Sequence, residues 1–441
     1  MNQDNILDFV AIGVGPFNLS LACLTEPVDG LDGVFLDRSE SFDWHPGMML
    51  ESTTLQIPFM ADLVTLADPT SKFSFLNYIK QKGRIYSFYI KESFLLMRKE
   101  YNQYCQWVIE QLSNVHFNTE VETIEYIEDE KLYVVISRNN ATGAVTAYKT
   151  KKLVLGTGTG PYVPKSMNPI SDNLIHSSQY LYHKEEIQEK KRISVVGSGQ
   201  SAAEIFYDLL QEIDTKEYAL SWVTRSPRYF PLEYSKLTLE MTSPEYVDYF
   251  YNLPSEKRDE LIANQKHLYK GINQDLIAEI FDLLYIKRLS SDYEVNLRTN
   301  SEVVNSYVGD DRSLNLEVHQ TEQDKYYLHK TDFVIAATGY GYRQPEFIES
   351  IASRIKWDEK NRYDVSRNYT IDINNSEIYV QNAELHTHGF VTPDLGMVCY
   401  RNSYIINELM GREVYPVESR IAFQQFEVSP EEEIVPQLEI Q

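Results

Sequence analysis

The sequence predicts an α/β fold: two Rossmann-like domains built on parallel sheets, with a smaller, mostly helical region. Three observations carry this. Short apolar runs recur at 7–12, 33–37, 131–137, 151–156, 193–197, 220–224 and 332–338, with helix-length segments between many of them. Two of these runs end in glycine-rich turns, Gly13-Val14-Gly15-Pro16-Phe17-Asn18 and Gly197-Ser198-Gly199-Gln200-Ser201-Ala202, and each turn opens a helical pattern. From 233 to 290 the pattern becomes helical, with Tyr246, Phe250, Leu261, Leu268, Leu276, Ile280 and Leu284 near one face and expected in the core.

Glycines in such turns let the backbone approach a pyrophosphate, and the following helix offers unpaired N–H groups and a positive dipole end. After the first turn, Asp37 closes the next apolar run, where a ribose-binding carboxylate belongs. After the second, the corresponding run ends in Arg225, a cation suited to a 2′-phosphate, which argues for NADPH over NADH. Small-residue turns at 156–158 and Ala337-Thr338-Gly339-Tyr340 bring the chain back past a bound dinucleotide, one before the second glycine turn and one after it. The nicotinamide-binding part is therefore expected as an insertion in a discontinuous flavin domain. The expected limits are 1–188 and 326–425 for FAD, 189–232 and 291–325 for NADPH, and 233–290 for the helical substrate region. An acidic tail spans 426–441, with Glu431-Glu432-Glu433 solvated or disordered.

Composition narrows the function. With 441 residues, 43% of them hydrophobic, the chain can bury more than one core. No apolar run approaches a membrane span, and the polar start Met1-Asn2-Gln3-Asp4-Asn5 lacks the parts of a secretion signal, so a soluble cytoplasmic protein is expected. Cys23, Cys105 and Cys399 are scattered, which removes a disulfide framework and the dithiol of a disulfide reductase. A formal net charge of −24 without clustered Lys and Arg argues against nucleic acid as partner. It either keeps the surface soluble or weakly favours a cationic substrate.

Beyond the two glycine turns, Trp44-His45-Pro46-Gly47-Met48, Leu55-Gln56, Asp62-Leu63-Val64, Pro69-Thr70-Ser71, Phe75-Leu76-Asn77-Tyr78, His388-Gly389 and Arg401 follow one another in order. Taken with Ala337-Thr338-Gly339-Tyr340, this series resembles the siderophore-associated, flavin-dependent N-hydroxylating monooxygenases, which act on lysine, ornithine or diamines. It looks closest to the diamine members. The resemblance implies an enzyme in which NADPH reduces FAD, O2 adds at the flavin C4a as a hydroperoxide, and the distal oxygen passes to a neutral primary amine. Its partners are then a small amine and O2, in a homo-oligomeric dimer or tetramer. It further implies Gln56 beside the flavin ring at the reacting edge, and Trp44 and His45 lining the FAD site. The same comparison puts Gln200 and Ser201 at the NADPH pyrophosphate and Arg225 at its 2′-phosphate. Two other classes share part of the pattern. His176-Ser177-Ser178-Gln179-Tyr180 is similar to a fingerprint of Baeyer–Villiger and sulfur-oxidising flavin monooxygenases, and a non-catalytic nucleotide sensor would need only the two turns.

One departure points to the substrate. Amino-acid hydroxylases of this family carry a lysine just before Asp-Leu-Val, pairing with the substrate α-carboxylate; here that position is Ala61, and Leu268 stands where ornithine enzymes use an asparagine. Stranding one partner of a buried ion pair costs about 3–5 kcal/mol, or about two to three orders of magnitude in recognition. A decarboxylated amine is therefore expected, putrescine or cadaverine first, with histamine, ornithine and lysine as alternatives, the last two if Lys72 or Lys270 supplies the cation. A diamine's far ammonium needs an acceptor. Glu233, Glu240, Glu384 and Asp394 are the candidates, Asp394 foremost because it lies close to His388-Gly389.

Overall fold

The computed structural model describes residues 6–51, 53–167, 171–291 and 293–434. Strand Ile6–Ile12 lies in the middle of the first sheet, paired in parallel with Gly33–Leu36 on one side and Val145–Leu155 on the other. Val115–His116 extends one edge in parallel, and Ile378–Val380 returns to pair in parallel with Val145–Leu155. This sheet is mixed, not wholly parallel as the spacing of runs implied. Strands Thr119–Ile127, Leu132–Asn139 and Val145–Leu155 form an antiparallel meander. A tight turn closed by Gly143 N–H on the Asn139 carbonyl at 2.7 Å leaves no room for a helical crossover.

The second sheet is parallel throughout, in the order Leu174–His176, Phe333–Ala336, Arg192–Val196, Ala219–Val223, Val295–Arg298. Two of these strands lie outside the limits expected for the nicotinamide part. Leu174–His176 was expected before 188 and Phe333–Ala336 after 326, both with the flavin part. Phe333–Ala336 is wholly apolar and buried, and its backbone groups are satisfied only between two flanking strands, Leu174–His176 and Arg192–Val196. A separate antiparallel sheet of Ser301–Val308, Leu314–Gln320 and Lys325–Thr331 precedes it.

Both glycine turns are built alike. At Gly13, φ is +88° and an added Cβ would strike the Gly156 carbonyl; at Gly197 an added Cβ would strike the Ala337 carbonyl. Each small-residue turn therefore serves the glycine turn of its own sheet, whereas both were expected around one dinucleotide. The chain passes between the sheets through Thr159–Pro161 and returns through Tyr340–Tyr342, and these two crossings pair as an antiparallel ribbon.

The helical segment divides between two cores. Helix Pro244–Asn252, with Pro at its start and the Ser243 hydroxyl accepting the Tyr246 N–H at 3.2 Å, buries Tyr246 and Phe250 with Phe390, beside Leu261 and Leu268. Leu276, Ile280 and Leu284 of helix Gln274–Ser290 instead pack on the core of the second sheet. The end of the chain folds back here. Glu245 accepts the N–H groups of Ile421 and Ala422 at 2.7 and 2.9 Å, and Glu240 those of Phe423 and Gln424, both at 3.0 Å. Phe426 packs edge-on against Tyr246 with ring centroids 5.0 Å apart, so the tail does not begin at 426. Glu431–Glu433 are exposed, while 435–441 and the expected polar start at 1–5 lie outside the described residues. No helix among the described residues is long and apolar enough to cross a membrane.

Candidate active site

Strand Thr54–Pro58 pairs antiparallel with Leu95–Met97, which runs directly into helix Arg98–Ile109. This two-stranded ribbon and the helix that follows it present Gln56 and Arg98 to the first turn of helix Gln200–Lys216. The Gln56 amide Nε2 donates to Gln200 Oε1 at 3.2 Å, and the same oxygen accepts the Asn273 N–H at 2.8 Å. Gln200 Nε2 donates to Glu204 Oε1 at 2.9 Å, one helical turn on. Arg98 clasps Glu204 with both terminal nitrogens at 2.8 and 3.0 Å and donates to the Met48 carbonyl at 2.8 Å. One continuous polar chain thus joins this ribbon, the second nucleotide helix and the start of helix Gln274–Ser290. Gln200 spends its carbonyl and one N–H on this chain, so it braces the turn and keeps one N–H for a ligand.

Trp44, His45, Tyr340 and His176 form an aromatic wall, with His45 and His176 ring centroids 5.6 and 5.1 Å from Tyr340. Gly47 permits it: an added Cβ would strike the Ser178 carbonyl. The His45 ring is reachable by solvent but walled by protein; that desolvation, with the Arg98 charge, brings its pKa down to about 4.

The residues present fit two dinucleotides. Gly15 and Gly199 each cap a helix without a side-chain cap, and nothing lies within 4 Å of where their Cβ would be. Free N–H groups therefore meet open space at both places. Asp37 sits at the end of Gly33–Leu36 beside the first turn, accepting the Val14 N–H at 2.7 Å. Pro16 starts the first helix, and Phe17 lies under the Arg401 guanidinium at 4.8 Å. Asn18 was expected on the cofactor. It is fully buried, donating to the Gly13 carbonyl at 2.7 Å and accepting from Gln381 at 2.6 Å, and so supports the turn from behind. Ser201 is half-buried in the first turn of the second helix. Thr338 spends its hydroxyl on the Tyr162 carbonyl, and the Gly339 carbonyl contacts His176 Nε2 at 2.9 Å. Arg225 is exposed just after Ala219–Val223, and among the described residues its one ion pair is a loose 3.6 Å contact with Glu302.

On the substrate side, Ala61 is 5% exposed. Asp62 behind it organises the turn, accepting the N–H groups of Val64, Thr65 and Phe75 at 2.9, 2.7 and 2.7 Å. Lys72 pairs on the surface with Glu26 at 2.7 Å. Leu268 packs in the cluster that holds Phe390, and Asp394 follows, its backbone N–H on the Val391 carbonyl at 3.2 Å.

Three of the four candidate acids are otherwise engaged. Glu384 is fully buried and paired to Arg401 at 2.7 Å, because a carboxylate so deep needs a cation. Glu240 holds Phe423 and Gln424, and these hydrogen bonds keep its pKa low. Glu233 accepts the Ser235 N–H at 2.8 Å in a local turn. Asp394 is different. Half-buried, it spends one oxygen on the Gly396 N–H at 2.8 Å, and desolvation raises its pKa against that bond and the Arg401 charge.

Residues 5–342 match the model of the L-lysine 6-monooxygenase/L-ornithine 5-monooxygenase family. The chain belongs to this family. It is 53% identical over 422 residues to the putrescine N-hydroxylase of Shewanella oneidensis, spanning 96% of this chain and 84% of that one. The putrescine N-hydroxylase of Acinetobacter baumannii is 47% identical over 436 residues, 99% of this chain and 97% of that one. Among solved structures, the FAD-bound cadaverine monooxygenase of the desferrioxamine pathway from Erwinia amylovora superposes with a TM-score of 0.95. It is 58% identical and covers 97% of this chain and 99% of its own. The chain is accordingly a flavin-dependent N-hydroxylating monooxygenase, with FAD and NADPH as cofactors.

Within this monooxygenase the residues that sequence reasoning missed are Arg98, Glu204 and Asn273. Only Glu204 carried a signal, its spacing of four from Gln200 on one helix face.

Proposed function

We propose that this monooxygenase N-hydroxylates a decarboxylated diamine, putrescine or cadaverine, for hydroxamate siderophore synthesis. The observation that carries this reading is Ala61: buried at 5% exposure, it provides no charge where the amino-acid enzymes resemble one another in keeping a lysine. A substrate α-carboxylate there would be desolvated without a partner. The high identity to two putrescine N-hydroxylases and a cadaverine monooxygenase supports the same substrate class.

FAD, reduced by NADPH, supplies the oxygen-transfer chemistry. The chain's own residues bind and orient. Gly13, Gly15, Pro16 and Phe17 with Asp37 cradle the flavin dinucleotide, Trp44 and His45 wall its ring, and Gln56 presents its amide at the reacting edge. Gly197, Gly199, Ser201 and Gln200 receive the nicotinamide dinucleotide, with Thr338, Gly339 and Tyr340 closing the turn beside it. Asp394, desolvated and with one oxygen available, holds the far ammonium, while Ala61 and Leu268 provide apolar walls for the methylene chain. The reacting nitrogen must be neutral to offer its lone pair. A low-polarity pocket favours that form, and turnover rises with pH toward the amine's effective pKa.

An amine panel with hydroxylamine detection in the presence of NADPH and FAD tests this. Putrescine or cadaverine should give the highest kcat/KM; if ornithine or lysine exceeds both diamines and histamine, the reading is wrong.

A further inference from the structure

In a chain with 65 acidic and 41 basic residues, a group of cations in which the lysines have no carboxylate paired to them stands out, and it lies on the segment clipped to the stretch after Arg225. The segment carrying Lys266 and Lys270 is clipped onto the stretch that follows Arg225. Leu232 N–H donates to the Ile272 carbonyl at 2.8 Å, Ile272 N–H to the Phe230 carbonyl at 2.9 Å, and Glu233 N–H to the His267 carbonyl at 3.1 Å. Gly271 allows this approach, since an added Cβ would collide with the Leu232 backbone. Lys270 N–H bonds the Lys266 carbonyl at 2.8 Å, so the two lysines stand one turn apart. Arg228 adds a further cation, its guanidinium 4.4 Å over the Phe230 ring, which stacks at 6.5 Å on His267.

Among the described residues, neither Lys266 nor Lys270 makes an ion pair, and Lys270 rests its ammonium against the Tyr269 ring at 5.3 Å. Desolvation lowers the Lys270 pKa, and the neighbouring charges of Lys266 and Arg225 push it the same way. Like charges held together with little counter-charge are costly, and a bound dianion relieves that cost. The loose 3.6 Å contact of Arg225 with Glu302, both side chains largely in water, is weak competition for such an anion.

We propose that Lys266 and Lys270 join Arg225 in holding the 2′-phosphate of NADPH, so that the helical segment shares in choosing NADPH over NADH. The proposal rests on the reading of Arg225 as a 2′-phosphate ligand. It predicts that nucleotide choice depends on residues outside the second sheet.

Calorimetric titration of the FAD-loaded protein tests it without turnover, with NADP+, NAD+, adenosine 2′,5′-bisphosphate and 5′-AMP as probes. Lys270→Ala should weaken NADP+ and adenosine 2′,5′-bisphosphate by about tenfold, the scale of one charge-assisted contact, and leave NAD+ and 5′-AMP unchanged. Lys266→Ala should act in the same direction, and both variants should flatten the salt dependence of NADP+ binding. If Arg225→Ala lowers the NADP+ to NAD+ preference while both lysine variants leave it intact, the lysine assignment is overturned and Arg225 keeps its role. An Arg225→Ala protein with unchanged preference overturns the underlying reading. Should Lys270→Ala alter the choice between cadaverine and lysine while nucleotide binding stays the same, Lys270 serves the substrate and the proposal falls.

Discussion

The pair Arg98–Glu204 offers the sharpest quantitative test. Its side chains are 13% and 2% exposed, and the carboxylate takes two guanidinium nitrogens and the Gln200 amide. Glu204→Ala leaves the guanidinium with the Met48 carbonyl alone and strips Gln200 of an acceptor. Breaking a buried pair from one side costs about 3–5 kcal/mol, and the slight exposure of Arg98 places the loss near the lower end, about 3 kcal/mol. Arg98→Ala removes the other partner of the same pair, so both single variants and the double variant are compared. The assay is a double-mutant cycle on the FAD-loaded protein, with urea unfolding for stability and rapid-mixing measurement of flavin reduction by NADPH for function. A coupling of about 1–3 kcal/mol is expected, together with slower reduction in Glu204→Ala as Gln200 and Gln56 lose their fixed orientation. A coupling within about 0.5 kcal/mol of zero would refute the reasoning.

Four further outcomes follow from the same geometry. Ala61→Lys should shift kcat/KM from cadaverine toward lysine; kinetics in which the preference does not move would separate substrate choice from this position. Asp394→Asn should raise KM for a diamine far more than for a monoamine of equal length. In the unsubstituted enzyme the diamine KM should climb as pH falls through the raised Asp394 pKa, and equal effects on both amines would remove Asp394 from the ammonium site. Glu240→Ala with Glu245→Ala should expose 421–426 to limited proteolysis, while unchanged digestion would mean that the four N–H bonds do not hold this segment. His45 stays neutral down to about 4 in the folded chain, against an ordinary value of 6.5. The unfolded chain therefore binds the extra proton between these values, and stability falls as pH drops through that window. His45→Asn should remove that part of the slope, as measured by urea midpoints across the same pH range.

What was legible in the sequence was local. The glycine turns, Asp37 and Arg225 declare themselves because turn chemistry and strand ends are written in a few consecutive residues. Gln56 and Ala61 stood out by family resemblance. Long-range partnership was not legible. Arg98 and Glu204 are 106 residues apart, and the spacing of Glu204 from Gln200 says nothing of Arg98 until the fold joins them. Glu384 reads as a free acid until Arg401, on a separate helix, is seen beside it. The sheet to which Phe333–Ala336 belongs depends on two partners distant in sequence, and an apolar run alone cannot name them. Glu240 looked available because the end of the chain gave no sign that it folds back.

The paired crossings at Thr159–Pro161 and Tyr340–Tyr342 constrain how the molecule works. Both covalent links between the nucleotide-binding halves run side by side and are bonded, with Gly160 opposite Gly341 at the middle. Two zipped strands resist being splayed but yield to torsion, most easily where neither carries a side chain. Any turn of one half against the other would therefore twist this ribbon, and it would have to break the Gln56–Gln200 amide contact and the Arg98–Glu204 pair.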